Sequence, residues 1–89
     1  MLHRIYFTIE VEDKEDIGFY KDADIPQRVA VGERLMVDKS GWDLPVESVT
    51  YSLSSYCYET ELLPTQDSSE ETRAITKSML VKEGWIVIP

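Results

Sequence analysis

The sequence predicts an α+β domain: a bent antiparallel sheet or small partly closed β-barrel with one helix, in the order β-β-β-β-β-α-β. Three observations carry this. Ile5, Phe7, Ile9 and Val11 alternate with Tyr6, Thr8, Glu10 and Glu12, a period-two pattern rich in β-branched and aromatic residues. Further short apolar runs are separated by Gly, Pro and polar clusters. One segment, 69–82, carries helix start and stop signals instead.

The first strand is placed at 3–12, with Ile5, Phe7, Ile9 and Val11 facing the core. Glu12 to Asp16 is a polar turn, and 17–21 is a second strand paired to the first as a hairpin. Gly18 marks a candidate bulge there. Residues 22–26 break the pattern, because Pro26 restricts Ile25 to extended or turn geometry. Arg34 to Val37 is a third strand, ended by the tight turn Asp38-Lys39-Ser40-Gly41. Pro45, which has no amide hydrogen, is expected to keep 42–45 out of a central strand.

Val46 to Leu53 and Tyr56 to Leu63 are the fourth and fifth strands, joined by Ser54-Ser55. Pro64 ends the fifth and 65–67 is a linker. Ser68 and Glu71 have capping-box spacing, and Asp67, Glu70 and Glu71 complement a helix N-terminus. Gly84 fits the stop. Ala74, Ile75 and Met79 form a short apolar stripe for packing. A hairpin over 79–88 is the alternative to the longer helix, which is preferred. Trp85 to Ile88 is apolar throughout and is expected to lie centrally, buried on both faces under the helix.

Eighty-nine residues make one domain, able to bury about two-thirds of its unfolded surface. Nine aromatics suffice to anchor a core. Cys57 is the only cysteine, which excludes an intramolecular disulfide and a Cys-based zinc site. The start of the chain alternates as a strand and lacks the apolar stretch of a signal peptide. No window approaches the roughly 18 apolar residues of a membrane span. The expected location is the cytoplasm.

The net charge is -8, and it is concentrated. Glu10 to Asp24 holds seven acids and two bases, and Glu59 to Glu71 holds five acids and no base. Seventeen acids against nine scattered bases disfavour direct nucleic-acid binding, which draws affinity from Lys and Arg releasing counterions. Anionic membrane surfaces are disfavoured for the same reason.

Residues 26–35 (Pro-Gln-Arg-Val-Ala-Val-Gly-Glu-Arg-Leu) followed by 46–51 (Val-Glu-Ser-Val-Thr-Tyr) resemble small SH3-like β-barrel modules and several small bacterial proteins of similar pattern. Those barrels place a Val-Gly-Glu/Asp turn before a strand and then a hairpin with alternating Val residues. The class hosts nucleic-acid binders, peptide binders and structural modules, so the resemblance implies a barrel and no single activity.

Few residues suggest chemistry. Asp13 to Asp24 brushes against a calcium loop, but its fifth ligand position is Ile17, its ninth is Lys21, and its flanks are strands. Glu10/Glu12 and Glu59/Glu61 occupy alternate strand positions, about 6.6–7 Å apart along the strand. Acid–base work would need a pocket and orienting groups besides. His3 reads as an edge residue and Cys57 as a packing residue without an activating cation. No catalytic residue, metal or cofactor is expected.

The sequence therefore predicts a non-catalytic interaction domain whose partner is another protein. Its candidate contacts are Glu10, Glu12, Asp13, Glu15, Asp16, Glu59 and Glu61, with an aromatic set of Trp42, Tyr51, Tyr56 and Tyr58. The alternative is a nucleic-acid mimic or immunity-type inhibitor that binds a basic protein through its acidic face. A third reading is a small-ligand barrel. Monomer and homodimer both fit the sequence.

Overall fold

The computed structural model describes residues 1–11, 14–66 and 70–89. Its elements are β1 (Leu2–Glu10), β2 (Ile17–Asp24), β3 (Arg34–Met36), β4 (Asp43–Ser52), β5 (Cys57–Leu62), β6 (Thr65–Gln66), α1 (Glu70–Lys82) and β7 (Ile86–Ile88). The strands curl into a half-barrel in the order β3-β4-β5-β1-β2-β7, with the two-residue β6 also paired to β1. The α+β class holds, as do the bent sheet and the single short helix.

β1 lies inside the sheet, with strands paired on both of its sides. It pairs antiparallel with β2 from Leu2↔Asp24 to Ile9↔Ile17. On its other side it pairs parallel with β5, and then with β6. The remaining pairings, β2–β7, β3–β4 and β4–β5, are antiparallel. The expected linker at 65–67 thus contributes a sixth strand at Thr65–Gln66.

One face of the sheet holds the core. Ile5, Phe7 and Ile9 of β1 and Phe19 of β2 are buried with Leu44, Val46, Leu62, Leu80 and Trp85. Val11 packs against this cluster from beyond the strand end. Phe7 is central: it stacks on Phe19 at 5.3 Å and meets Trp42 and Trp85 edge-on at 5.8 and 4.9 Å. Such aromatic pairs add to the stabilisation from area burial alone.

Several expectations are corrected. β2 runs on through residues 22–24, because Pro26 restricts only Ile25 and the pairing with β1 continues to Asp24. Gly18 forms no bulge; it pairs in register between Thr8 and Ile88. Its role is close approach, since a Cβ there would lie 3.2 Å from Ile88 Cδ1. Pro45 does enter a strand: it pairs with Arg34 in β3, just before a register shift between Val46 and Ser48. Bulges are among the places where a sheet tolerates proline.

The helix spans Glu70–Lys82, as the longer of the two arrangements requires. Its end is a Schellman motif. Trp85 N–H donates to Leu80 O and Gly84 N–H to Val81 O, with Gly84 at φ 98°. Leu80 and Trp85 supply the accompanying apolar contact, both buried in the core. Asp67 and Ser68 of the expected capping box lie outside the described residues. The packing stripe is corrected: Leu80 is fully buried, whereas Ile75 is 65% exposed.

β7 is also corrected. It lies at the sheet edge, paired only to β2, with Ile86 and Ile88 exposed. Trp85 and Val87 face the core and the two isoleucines face outwards. An apolar run on both faces therefore does not require a central position.

Asp38 holds the turn between β3 and β4. Its Oδ1 accepts from Ser40 N–H at 2.9 Å, Ser40 Oγ at 2.7 Å and Trp42 N–H at 3.2 Å. These bonds, that from the Ser40 hydroxyl foremost, hold its carboxyl below the usual range. Asp38→Ala removes the acceptor of three part-buried hydrogen bonds that shape the turn, at a cost of about 1–3 kcal/mol. Urea denaturation will read this as a lower midpoint at unchanged slope, with Asp38→Asn losing less.

Candidate functional site

Strand alternation sends each element's residues to two opposite faces, and register decides which meet. On the outer face, register aligns Thr50, Glu59, Arg4 and Asp22 across β4, β5, β1 and β2. The next such row is Ser48, Glu61, Tyr6, Tyr20 and Ile86, and beyond it lie Thr8, Gly18 and Ile88. Glu10 closes the same face at the end of β1.

These rows enclose an open groove of about 380 Å³ lined by Tyr6, Thr8, Glu10, Glu47, Glu59, Glu61, Pro64 and Ile88. Glu10 and the Glu59/Glu61 pair come from the two acidic blocks, so the fold brings parts of both to one recess. Glu47 belongs to neither block; it sits at the register shift in β4. The missing side chain of Gly18 lets Ile88 lean in from the sheet edge. No Lys or Arg lines the groove, and none of the four glutamates has an ion pair among the described residues.

Arg4, in the first of these rows, is already engaged. Arg4 makes a two-pronged pair with Asp22, Nε to Oδ1 at 2.7 Å and Nη2 to Oδ2 at 3.0 Å. Its guanidinium also lies 4.8 Å from the Tyr20 ring centroid. The Arg4 hydrogen bonds push the Asp22 carboxyl below the usual range.

The other expected contacts lie elsewhere. Glu15 and Asp16 are exposed on the turn between β1 and β2. Glu12 and Asp13 lie outside the described residues. Tyr51 and Tyr58 are register partners facing the inner side, with rings 5.0 Å apart and edge-on. Tyr51 and Tyr56 are exposed at the β4–β5 hairpin beside Leu53, while Tyr58 is half-buried. Trp42 packs against Phe7 in the core. Tyr51 and Tyr58 thus lie on the face opposite Glu10, Glu59 and Glu61, while Tyr6 and Tyr20 share the face of these acids.

His3 is corrected from an edge residue to a fully buried one. Its alternate position on β1 places it on the core face with Ile5. Its ring stacks on Tyr58 at 5.0 Å, Nδ1 is hydrogen-bonded to Thr60 Oγ1 at 3.0 Å, and Nε2 is buried without a partner. Burial pushes its pKa below the ordinary 6.5. The folded state therefore resists a proton that the unfolded chain accepts. Stability from this group is full above about pH 6.5 and is lost as the pH falls towards the lowered value. Thermal melts should show a drop below pH 6.5 that His3→Phe removes. The losses from protonating Asp22 and Asp38 come separately, below their ordinary value of 3.8.

Cys57 is buried, and no grouping of three or more His, Cys, Asp or Glu arranged for a metal ion occurs among the described residues. Among these residues no helix is long and apolar enough to cross a membrane. Compared with known family models, characterised proteins and solved structures, the chain matches none.

Proposed function

We propose that this chain is a non-catalytic cytoplasmic protein-binding domain that receives a basic segment of another protein in its outer-face groove. The observation that carries this is the convergence of Glu10, Glu47, Glu59 and Glu61 on one recess that no base lines. Tyr6 and Ile88 give the recess an aromatic and an apolar wall. Lys and Arg side chains combine an apolar stem with a charged head, and both parts find a complement there. A recess favours a receptor for a protruding basic segment over a phosphate-backbone mimic, which must itself enter a partner's cleft.

A second reading rests on the hairpin tip. Leu53 and Tyr56 are 79% and 77% exposed, and Tyr56 sits at φ 54°, in the left-handed region uncommon for a bulky residue. An apolar tip held in such geometry suits insertion into a partner's pocket.

Titration with a Lys/Arg-rich peptide, followed by amide NMR at about 0.05 and 0.5 M salt, separates the readings. The groove reading expects shifts at Tyr6, Glu10, Glu59, Glu61 and Ile88, with affinity falling steeply as salt rises. Shifts confined to Tyr51, Leu53 and Tyr56 would replace it with the hairpin reading. Absence of binding at low salt would sink the groove reading.

A further inference from the structure

The sheet order divides into two antiparallel units, β3-β4-β5 and β1-β2-β7. Among the described residues, backbone pairing joins them only through β1. That strand runs parallel to β5 over His3–Tyr6 and Tyr58–Glu61, and to β6 at Ile9–Glu10. Parallel pairing is slightly weaker per residue than antiparallel pairing. His3 spans this junction on the inner face. Its ring stacks on Tyr58 and its Nδ1 is hydrogen-bonded to Thr60 Oγ1, both on β5.

This arrangement suits only a neutral ring. Neutral imidazole carries one N–H, and the Thr60 hydroxyl is the partner at Nδ1. A second proton makes both nitrogens donors, and Nε2 is buried without an acceptor. The groups around the ring offer none. Tyr58 and Thr60 face it from β5, Tyr51 of β4 packs on Tyr58, and Ala23 of β2 lies opposite. The two acids flanking Ala23 are engaged elsewhere, Asp22 with Arg4 and Asp24 with the N-terminal amine. That amine's charge also opposes a second positive charge on the ring.

The acidic groove straddles the same junction. Tyr6, Thr8, Glu10 and Ile88 belong to the β1-β2-β7 unit, and Glu47, Glu59 and Glu61 to the β3-β4-β5 unit. His3↔Tyr58 is the first pair of the β1–β5 ladder and Tyr6↔Glu61 the last. We infer that protonation of His3 opens the β1–β5 ladder and parts the two walls of the groove, so that acid releases a bound basic segment, a regulation that rests on the groove being the binding site. Opening breaks only the β1–β5 bonds, since β1 stays paired with β2 and β5 with β4. The ladder is closed above pH 6.5, where the ring is neutral, and opens as the pH falls towards the ring's lowered pKa. Linkage is reciprocal, so a segment bridging both walls disfavours the proton on His3.

Amide hydrogen exchange and NMR of the full chain between about pH 7.5 and 5.5, with and without a Lys/Arg-rich peptide, test this. The amides that bond β1 to β5, within 3–6 and 58–61, are expected to lose protection as the pH falls. Those bonding β1 to β2 and β4 to β5 keep theirs. Affinity for the peptide falls about tenfold over the same range, and saturating peptide moves the His3 ring titration to lower pH. His3→Phe removes the pH effect on protection and on affinity. The ring titration and the protection pattern of the unmodified chain decide the matter even if that variant folds poorly. A peptide that fails to bind at the higher pH overturns the groove reading and the release with it. Binding of equal strength at both pH values, protection lost evenly across the sheet, or the same pH effects in folded His3→Phe overturns the proposal alone.

Discussion

Trp85→Ala should cost about 3–5 kcal/mol, the largest loss expected of any single substitution in this chain. Trp85 is only 4% exposed. Its ring meets Phe7 edge-on at 4.9 Å, and its Nε1–H donates to Val37 O at 2.8 Å, tying the chain after the helix to the β3–β4 turn. Its backbone N–H closes the helix by donating to Leu80 O. Removing the side chain opens a cavity beside the most connected ring of the core and strips a buried carbonyl of its donor. Against a total of about 5–10 kcal/mol for a domain of this size, the variant is marginal at 37 °C. Trp85→Phe keeps the edge-on contact and loses mainly the hydrogen bond, about 1–2 kcal/mol. Urea titrations followed by far-ultraviolet circular dichroism will give both values. A loss below 1 kcal/mol for Trp85→Ala would mean that the β3–β4 turn and the helix end are not joined through this residue.

The combined variant Glu10→Gln, Glu59→Gln, Glu61→Gln should weaken capture of a Lys/Arg-rich peptide by about 30-fold at low salt. Each exposed charge pair is worth roughly 0.2–1 kcal/mol, and three of them add to about 2. The three residues line one groove but stand on two strands, so none is needed to close the fold. Stability should hold or rise, since like charges on one face repel. The salt dependence of binding should flatten in parallel. A control with Glu15→Gln and Asp16→Gln, which remove charge from the exposed turn, should change affinity only a few-fold. Equal loss in both variants would mean that net charge, rather than the groove, attracts the peptide.

Local patterns were read from the sequence where a single segment carries its own constraint. The alternation of Ile5, Phe7 and Ile9 fixes which side of β1 is buried, whatever the strand pairs with. Gly84 stops the helix because the left-handed geometry at φ 98° suits a residue without a Cβ. The β4–β5 hairpin follows from two apolar runs separated by a short polar turn. The same alternation extends to His3, but a lone histidine carries no burial signal of its own, and only packing against Tyr58 and Thr60 seals it. The exposure of Ile86 and Ile88 is not legible in the sequence, because apolar side chains signal burial without saying which neighbour covers them.

The candidate site was half legible. Glu10, Glu59 and Glu61 are candidate contacts from the sequence, and they meet around one groove. Glu47 lies outside the charged blocks, so the sequence does not single it out; it reaches the groove at the register shift in β4. Alternation alone puts Tyr6 on the polar face, and the apolar run alone puts Ile88 in the core; in the fold both line the groove. Their meeting depends on Gly18 in the strand between them.

Sequence alone determined the α+β class, the order of the long strands, the helix and its stop, and the acidic character of one strand face. Each is set by residues close together in the chain, where alternation, φ preference and local hydrogen bonding act without knowledge of the rest. Only the tertiary structure decided that β1 lies parallel to β5. It also decided that β7 is an edge strand, that His3 is sealed, and that Glu10 shares a groove with Glu59 and Glu61 while Tyr51 and Tyr58 face the other way. These are matters of register between strand residues up to 70 positions apart, as for Gly18 and Ile88. In a sheet, a shift of one residue in register moves every side chain to the opposite face.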